Sequence, residues 1–361
     1  MSSPRVELRD GFLRVHFGAG LGHADFHPRW LRHNCDADRH PATGERLVCS
    51  SELPEGLAVA RAAVDGDRLA VTWAPDGRTS VFGLGWLAEH AYARDRAEPP
   101  PPAAAASFEL PAGGGPVGES VPRALALVAA QGAAVVRRGG AAPEAETEAI
   151  IDAFAARGLR VIGTHFGRVE DLRTDNTTNA NTDQLGYTDA AIGLHSDQPF
   201  LERPPRYQLL QCIRPADEGG ENEIADARAA AEHLAAVDAD AHEALARTPI
   251  VFHRRQRAFE RAHAAPVLES TPEGFRVRFS YFTMAPHRLP FERVEGYYRA
   301  YDRFARLVRA RAVRLALGAG DFLLYDNWRM LHARTAFRGA RWVRGVYFDA
   351  PPHGPARESP G

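Results

Sequence analysis

Residues 193–200 read Gly-Leu-His-Ser-Asp-Gln-Pro-Phe, and residues 325–333 read Tyr-Asp-Asn-Trp-Arg-Met-Leu-His-Ala. Side chains alternate sides in an extended segment, so His195 and Asp197, two apart, project from one face and can grip one metal ion from adjacent positions. His332 is the candidate that closes the triangle. Two imidazoles and one carboxylate on one side of an octahedral ion leave the opposite positions open, the arrangement that lets non-haem Fe(II) hold a co-substrate and dioxygen. A His-x-Asp alone is a weak signal in a chain with 15 histidines. Context strengthens it: the motif runs into Gln-Pro-Phe and an apolar strand, and His332 follows a strand and the polar turn Asp326-Asn327.

The last apolar segment adds an anion partner. Period-two counting puts Arg341, Val343, Gly345 and Tyr347 on one face, with Trp342, Arg344, Val346 and Phe348 on the other. Both faces are partly apolar, so alternation separates the two arginines without choosing between them. A guanidinium turned into a β-core needs a carboxylate, because a buried unpaired charge is strongly unfavourable. Arg341 beside a metal would seat the far end of a dicarboxylate; the competing reading is an exposed strand-end arginine bonded to water.

These residues need a scaffold. Asp-Gly and Pro-Asp-Gly turns at 10–11, 65–67 and 75–77 punctuate alternating apolar runs, which predicts a small β-rich N-terminal domain over residues 1–98 with two successive hairpins. A Pro/Gly-rich linker follows at 99–118, stiff in its prolines and free in its glycines, and not expected to pack. Residues 119–361 form the remainder. Helical signals fall at 121–130, 143–156, 226–247 and 291–310, and strand signals at 133–137, 207–213, 221–224, 249–252, 275–282, 321–325 and 342–348. The polar stretch 173–183 has no period and reads as a loop facing substrate. Many short strands with helical inserts predict a mainly β protein, its β-core closed or sandwiched, with helices packed outside.

Composition narrows the partners. With 44 basic against 46 acidic side chains the net charge is -2, so neither nucleic acid nor a membrane surface is an expected partner. No apolar run approaches the roughly 20 residues that span a bilayer, and the N-terminus lacks the pattern of a signal peptide, so the expected location is cytoplasmic. Three cysteines, Cys35, Cys49 and Cys212, are poor material for a disulfide framework and suit a reducing compartment.

The chain resembles the gamma-butyrobetaine hydroxylase and trimethyllysine hydroxylase branch of the Fe(II)/2-oxoglutarate dioxygenases, a superfamily that also contains taurine dioxygenase. The likeness covers nearly the whole length. It is carried by Trp-Leu-Arg-His-Asn-Cys at 30–35, Ser-Val-Phe-Gly-Leu-Gly-Trp-Leu at 80–87, Gly-Tyr-Thr at 186–188, His-Ser-Asp-Gln-Pro-Phe at 195–200, Gln-Leu-Leu-Gln-Cys-Ile at 208–213 and Gly-Gly-Glu-Asn-Glu-Ile at 219–224. The two stretches ending in His332 and Tyr347 complete it.

The resemblance implies a double-stranded β-helix (jelly-roll) catalytic domain with His195, Asp197 and His332 as iron ligands. It also implies 2-oxoglutarate as co-substrate, its far carboxylate on Arg341 and assistance from Asn222. Dioxygen would be the oxidant, succinate and carbon dioxide the by-products, and the reaction hydroxylation of a C–H in a small amine or betaine-like substrate. Tyr187 and Tyr347 match positions of an aromatic cage for quaternary ammonium, because aromatic faces attract such cations. Glu170 and Thr174 stand where gamma-butyrobetaine hydroxylase would have aromatics. Other substrates therefore stay open: another amine held partly by Glu170, Asp175 or Asp183, a sulfonate, a phosphonate or an amino acid, with desaturation as another outcome. A metal-binding β-helix without turnover is the reading from a different class.

The family's N-terminal module often binds structural zinc. Here Cys35 stands alone before Asp36, and Arg78 occupies the hairpin position of the ligating histidine. Zinc is not expected, since Cys35, His40 and Cys49 are one ligand short of a closed site. The module is expected to serve packing and dimerisation, giving a homodimer.

Overall fold

The computed structural model describes residues 3–18, 22–91, 112–113, 117–138, 142–175, 183–286 and 288–350. Its centre is a pair of β-sheets. In the larger sheet the order is Glu170–Leu172, Trp342–Asp349, Tyr207–Arg214, Phe322–Asp326, Ala133–Val136 and Ala112–Gly113, and Arg160–Val161 also pairs with Trp342–Asp349. In the smaller the order is Ile192–His195, Met330–Arg334, Asn222–Asp226 and Val313–Leu315.

Alternation along these strands sorts their side chains into two layers. Leu210, Cys212, Leu323, Tyr325, Ala133, Val135 and Val343 join Ile224, Leu315 and Met330 of the smaller sheet in one cluster, so they fill the space between the sheets. Leu209, Phe322, Leu324, Ala134, Val136, Val346 and Phe348 point the other way, onto the helices Val117–Gln131 and Pro143–Ala155. The second helix opens with a proline and carries Glu144 and Glu146 in its first turn, where they favour the helix dipole. The outer side of the smaller sheet is covered by Ala227–Val237, Ala239–Arg247 and Phe291–Arg309. Asp226 and Asp238 cap the first two through side-chain bonds of 3.0 Å to Ala229 N and Ala241 N. The third buries Val294, Tyr297, Tyr301, Phe304 and Val308 at helical spacing.

Both hairpins expected before residue 98 are present: Ala58–Asp65 with Arg68–Ala74, and Arg68–Ala74 with Thr79–Gly83. A third sheet, Arg5–Arg9, Phe12–His16 and His23–Phe26, stands beside them. One apolar cluster runs from Leu13, Trp30 and Trp73 of this part to Phe279, Tyr297 and Tyr301. Arg46 ties the same parts together by polar bonds. Its buried guanidinium donates to His33 O at 2.8 Å, Tyr281 O at 3.0 Å and Asn34 Oδ1 at 2.6 Å.

Cys35, His40 and Cys49 do not gather as metal ligands; among the described residues the one group of three or more that could hold an ion is His195, Asp197 and His332. Asp38 instead takes buried Arg32 on one oxygen and Arg78, at 2.9 Å, on the other. The arginine at the family's histidine position thus closes the module with an ion pair.

Several expectations need correction. The expected linker is not wholly unpacked: Ala112–Gly113 pairs in parallel with residues 135–136, because edge pairing uses only backbone groups, and the next helix starts at Val117. The rest of 99–116 lies outside the described residues, as do 176–182 of the polar loop. The strand expected over 275–282 ends at Val277; residues beyond it leave the sheet to bond the turn after His195. The strand expected over 249–252 is present and longer, Ile250–Gln256, and pairs in a hairpin with an unexpected second strand, Phe259–Ala265, which is mostly charged residues and alanine and offers no apolar alternation. His332 follows the strand Phe322–Asp326 and its polar turn as expected, and itself lies inside a further strand, Met330–Arg334.

Candidate metal centre

The three candidate ligands converge. One donor atom from each of His195, Asp197 and His332 lies within 4.8 Å of the others, with the Nε2 atoms 3.5 Å (His195) and 3.4 Å (His332) from Asp197 Oδ1. The strands explain why. His195 and His332 are direct partners across the antiparallel pair Ile192–His195 and Met330–Arg334, and directly opposed side chains share a face. Their rings lie 4.2 Å apart.

Asp197 does not arrive by strand alternation, as the sequence suggested. The strand stops at His195, and Asp197 lies in the bend just beyond it, followed by Gln198 at φ 54°. Two clamps hold that bend. Ser196 N donates to Phe279 O at 2.7 Å, and Phe279 N donates back to Ser196 Oγ at 3.0 Å. Asn327 Oδ1 accepts from Asp197 N at 2.7 Å, while its amide donates to Asp197 O at 3.1 Å and Pro205 O at 2.9 Å. Asn327 sits in the short connection that takes the chain from Phe322–Asp326 in one sheet to Met330–Arg334 in the other. A single buried amide therefore fixes the carboxylate relative to His332.

The protonation states suit ligation. His195 Nδ1 lies 2.9 Å from Gly193 O; a carbonyl only accepts, so Nδ1 donates there and Nε2 is the nitrogen turned to the other ligands. Burial, then the neighbouring His195, push the His332 imidazole below its ordinary value, towards the neutral form. Its Nε2 is buried and has no hydrogen-bond partner. Burial opposes the charge on Asp197, yet the two imidazoles outweigh it and hold the carboxyl well below the usual range. Tyr347 Oη donates to Asp197 Oδ2 at 3.0 Å, which leaves Oδ1 for the imidazole side. Two imidazole nitrogens and one oriented oxygen facing an open cavity fit Fe(II) in a facial triad.

That cavity, its open mouth included, spans about 820 Å³ of space between atoms. Arg341 and Asn222 line it with the three candidate ligands. Arg341 is 7% exposed, and burial lowers its pKa to about 10, so it stays charged at neutral pH. The neighbour that acts on it is the Cys212 thiol, not a carboxylate. The alternation that could not choose between two arginines is thereby resolved. Arg344 faces the helix side and bonds Asp171 Oδ1 at 2.9 Å and Thr147 Oγ1 at 2.9 Å. Glycines make room for Arg341: a Cβ on Gly220 would meet its Cδ at 3.1 Å, and φ is +73° there.

Tyr187 and Tyr347 reach the site differently. The Tyr347 hydroxyl is committed to Asp197, and the residue also lines the cavity. Tyr187 Oη donates to Glu170 Oε1 at 3.0 Å, and it is Glu170 that lines the cavity. Exposed Asp175 pairs with Arg173, and Asp183 accepts from Arg257 N at 3.2 Å; neither lines the cavity.

Sequence reasoning missed several lining residues. Phe166, Phe200 and Phe282 line the cavity, and the Phe282 ring meets His195 edge-on at 4.9 Å. Glu45, from the N-terminal part, also lines it. It accepts from Leu185 N and pairs with Arg254. Nothing in a lone Glu45 between glycine and arginine signals that reach across the chain.

The model of the taurine catabolism dioxygenase TauD, TfdA family matches residues 96–347. A gamma-butyrobetaine dioxygenase from Pseudomonas sp. (strain AK-1) is 31% identical over 342 residues, 90% of this chain and 87% of that one. A trimethyllysine dioxygenase from Meyerozyma guilliermondii is 25% identical, covering 91% and 89% of the two chains. Among solved structures, an asparagine oxygenase in complex with Fe(II), hydroxyasparagine and succinate superposes with a TM-score of 0.51 at 19% identity, over 63% of this chain and 79% of that one. That likeness supports the fold. With two sheets and a His-Asp-His cluster in the cavity beside them, the chain belongs to the taurine catabolism dioxygenase TauD, TfdA family.

Proposed function

We propose that this enzyme, an Fe(II)- and 2-oxoglutarate-dependent dioxygenase, hydroxylates a C–H bond of a small amine or betaine-like molecule, releasing succinate and carbon dioxide. The observation that carries the reading is the convergence of His195, Asp197 and His332 in a cavity that also holds buried Arg341, on which no carboxylate among the described residues acts. Its named relatives act on gamma-butyrobetaine and trimethyllysine.

In this reading His195 Nε2, His332 Nε2 and Asp197 Oδ1 hold the iron, and Arg341 with Asn222 holds 2-oxoglutarate. Iron bound with that co-substrate and dioxygen supplies the oxidising chemistry. The chain supplies order. Arg341 meets the far carboxylate with a charge already desolvated, so the pair forms in a low-dielectric site where charge-assisted bonds are strong. Asn327 and Tyr347 keep the Asp197 carboxylate fixed from two sides. Phe166, Phe200 and Phe282 exclude water from the reacting C–H. Tyr187, through Glu170, and Tyr347 place the substrate. Residues 1–98 act as a packing and dimerisation module of a cytoplasmic homodimer, joined by residues 99–118 to the catalytic part at 119–361, a jelly roll.

The test is a turnover screen. Purified protein with Fe(II) and 2-oxoglutarate is offered betaines, lysine derivatives, aminophosphonates and sulfonates, and succinate is measured. Succinate with an amine or betaine is expected. Succinate with sulfonates alone would overturn the substrate class, and none with any compound would favour ligand binding without turnover.

A further inference from the structure

Among the described residues, Glu170 is the one acid lining this cavity that neither sits among the candidate metal ligands nor pairs with a protein cation. It is 4% exposed and lies opposite Gly345 in the register between Glu170–Leu172 and Trp342–Asp349. Its Oε1 accepts from Tyr187 Oη and Gln184 Nε2, both at 3.0 Å. Both donors come from one short turn, so that oxygen is oriented and satisfied. A Cβ added to Gly345 would lie 3.8 Å from both Glu170 Oε2 and Gln208 Nε2, so the groups on that side are a glycine and a neutral amide. The nearest arginine is already engaged. Arg254 forms a buried pair with Glu45 and lies over the Phe200 and Phe282 rings at 5.7 and 5.6 Å.

Among the described residues no cation contacts Glu170, so its buried carboxyl group stays neutral until a bound cation supplies the opposite charge and then ionises against it. The other charges of the cavity have uses. Arg341 serves an anion, the Glu45–Arg254 pair is internally neutral, and the Arg334 guanidinium donates to the carbonyls of Gly186, Thr188 and Ala190. Glu170 is left facing the substrate space.

We infer that Glu170 is the specificity-determining residue for the cationic end of the substrate, and that this cation is an ammonium or guanidinium carrying N–H, not a quaternary ammonium. The inference rests on the amine reading above and sharpens it. A quaternary nitrogen hides its charge behind methyl groups and donates nothing, so it gains most from aromatic faces. An N–H cation gains a charge-assisted bond to the open carboxylate oxygen, about twice the strength of a neutral one. The Tyr187 hydroxyl and the Gln184 amide are positioning groups, fixing where that bond forms.

The experiment compares matched methylation series: 4-aminobutyrate, its N,N-dimethyl derivative and gamma-butyrobetaine, and lysine with its Nε-dimethyl and Nε-trimethyl forms. Binding to the Fe(II) and 2-oxoglutarate-loaded protein is measured by calorimetry without dioxygen, for wild type, Glu170→Gln and Glu170→Phe, each checked for folding by circular dichroism. In wild type the dimethyl member of at least one series should bind at least about tenfold tighter than the trimethyl member, the factor one charged hydrogen bond gives. Glu170→Gln should erase the difference and Glu170→Phe should reverse it. A trimethyl member that binds wild type as tightly as its dimethyl partner in both series, a preference that survives in Glu170→Gln, or no binding by either series overturns the assignment. Succinate released from trimethylated compounds would meanwhile leave the dioxygenase reading standing, so the two failures are distinguishable.

Discussion

Replacing Tyr347 with Phe removes one hydroxyl and nothing else from a buried position. In the wild type that hydroxyl donates to Asp197 Oδ2 at 3.0 Å, while Oδ1 faces both imidazoles. A hydrogen bond to a charged group contributes about 1.5–3 kcal/mol, so Tyr347→Phe should lower the stability of the metal-free protein by about that amount. The carboxylate also loses the contact that fixes its rotation. Outer partners of metal ligands typically change affinity about 10–100-fold, so Fe(II) binding should weaken by that factor. The assay is anaerobic Fe(II) titration of wild type and variant, paired with urea unfolding of the metal-free forms. Unchanged Fe(II) affinity together with a raised KM for substrate alone would refute the reasoning. It would mean that the hydroxyl serves the substrate, as the aromatic-cage resemblance suggested, and not the ligand.

Arg341→Met should raise the KM for 2-oxoglutarate by about one hundredfold, since it deletes the charged partner of a desolvated pair. The free protein should be no less stable, because a buried guanidinium with no carboxylate acting on it has been removed; a fall in midpoint with unchanged KM would contradict this. Glu170 gives a pH signature in the metal-free protein: burial, and then Asp197, raise its carboxyl from 4.5 to about 8. The unfolded chain therefore releases this proton first, so the stabilising contribution is complete below pH 4.5 and is lost as pH rises through about 8. The decline in unfolding free energy between those pH values should be smaller in Glu170→Gln, and identical slopes would exclude it. Glu45→Gln leaves Arg254 buried without its counter-charge and should cost about 3–5 kcal/mol in denaturant unfolding; a loss below about 1 kcal/mol would show that the pair is solvated.

What could be read from the chain followed periodicity. The helix over 291–310 is legible because its apolar residues recur at helical spacing, that over 121–130 from helix-forming composition, that over 143–156 from its opening proline and early glutamates, and the 65–67 and 75–77 turns because glycine and proline mark them. The face of Trp342–Asp349 that carries Arg341, Val343 and Tyr347 was legible too, but which face looks into the cavity depends on strand order, and strand order is not written locally. For the same reason His332 could be suspected but not placed. Its partner across the sheet is 137 residues away, from His195 to His332. The pair His195 and Asp197 was found for a reason that fails in part: spacing of two implied a shared strand face, while the actual geometry comes from a turn held by Asn327. Asn327 was read only as a turn residue, because a side-chain amide that closes on backbone 130 residues earlier has no sequence pattern. Glu170 was visible only as a departure from the family, and its burial, not its identity, gives it meaning.

The most direct test of the central claim is anaerobic addition of Fe(II) to the protein with 2-oxoglutarate, followed by the visible charge-transfer absorption of a keto acid chelated to ferrous iron. One equivalent of Fe(II) should develop the band in wild type, His332→Ala should give none at the same concentrations, and Arg341→Met should require far more 2-oxoglutarate. A wild-type protein that develops no band, or a His332→Ala variant that develops it at one equivalent, would contradict a ferrous centre built from His195, Asp197 and His332.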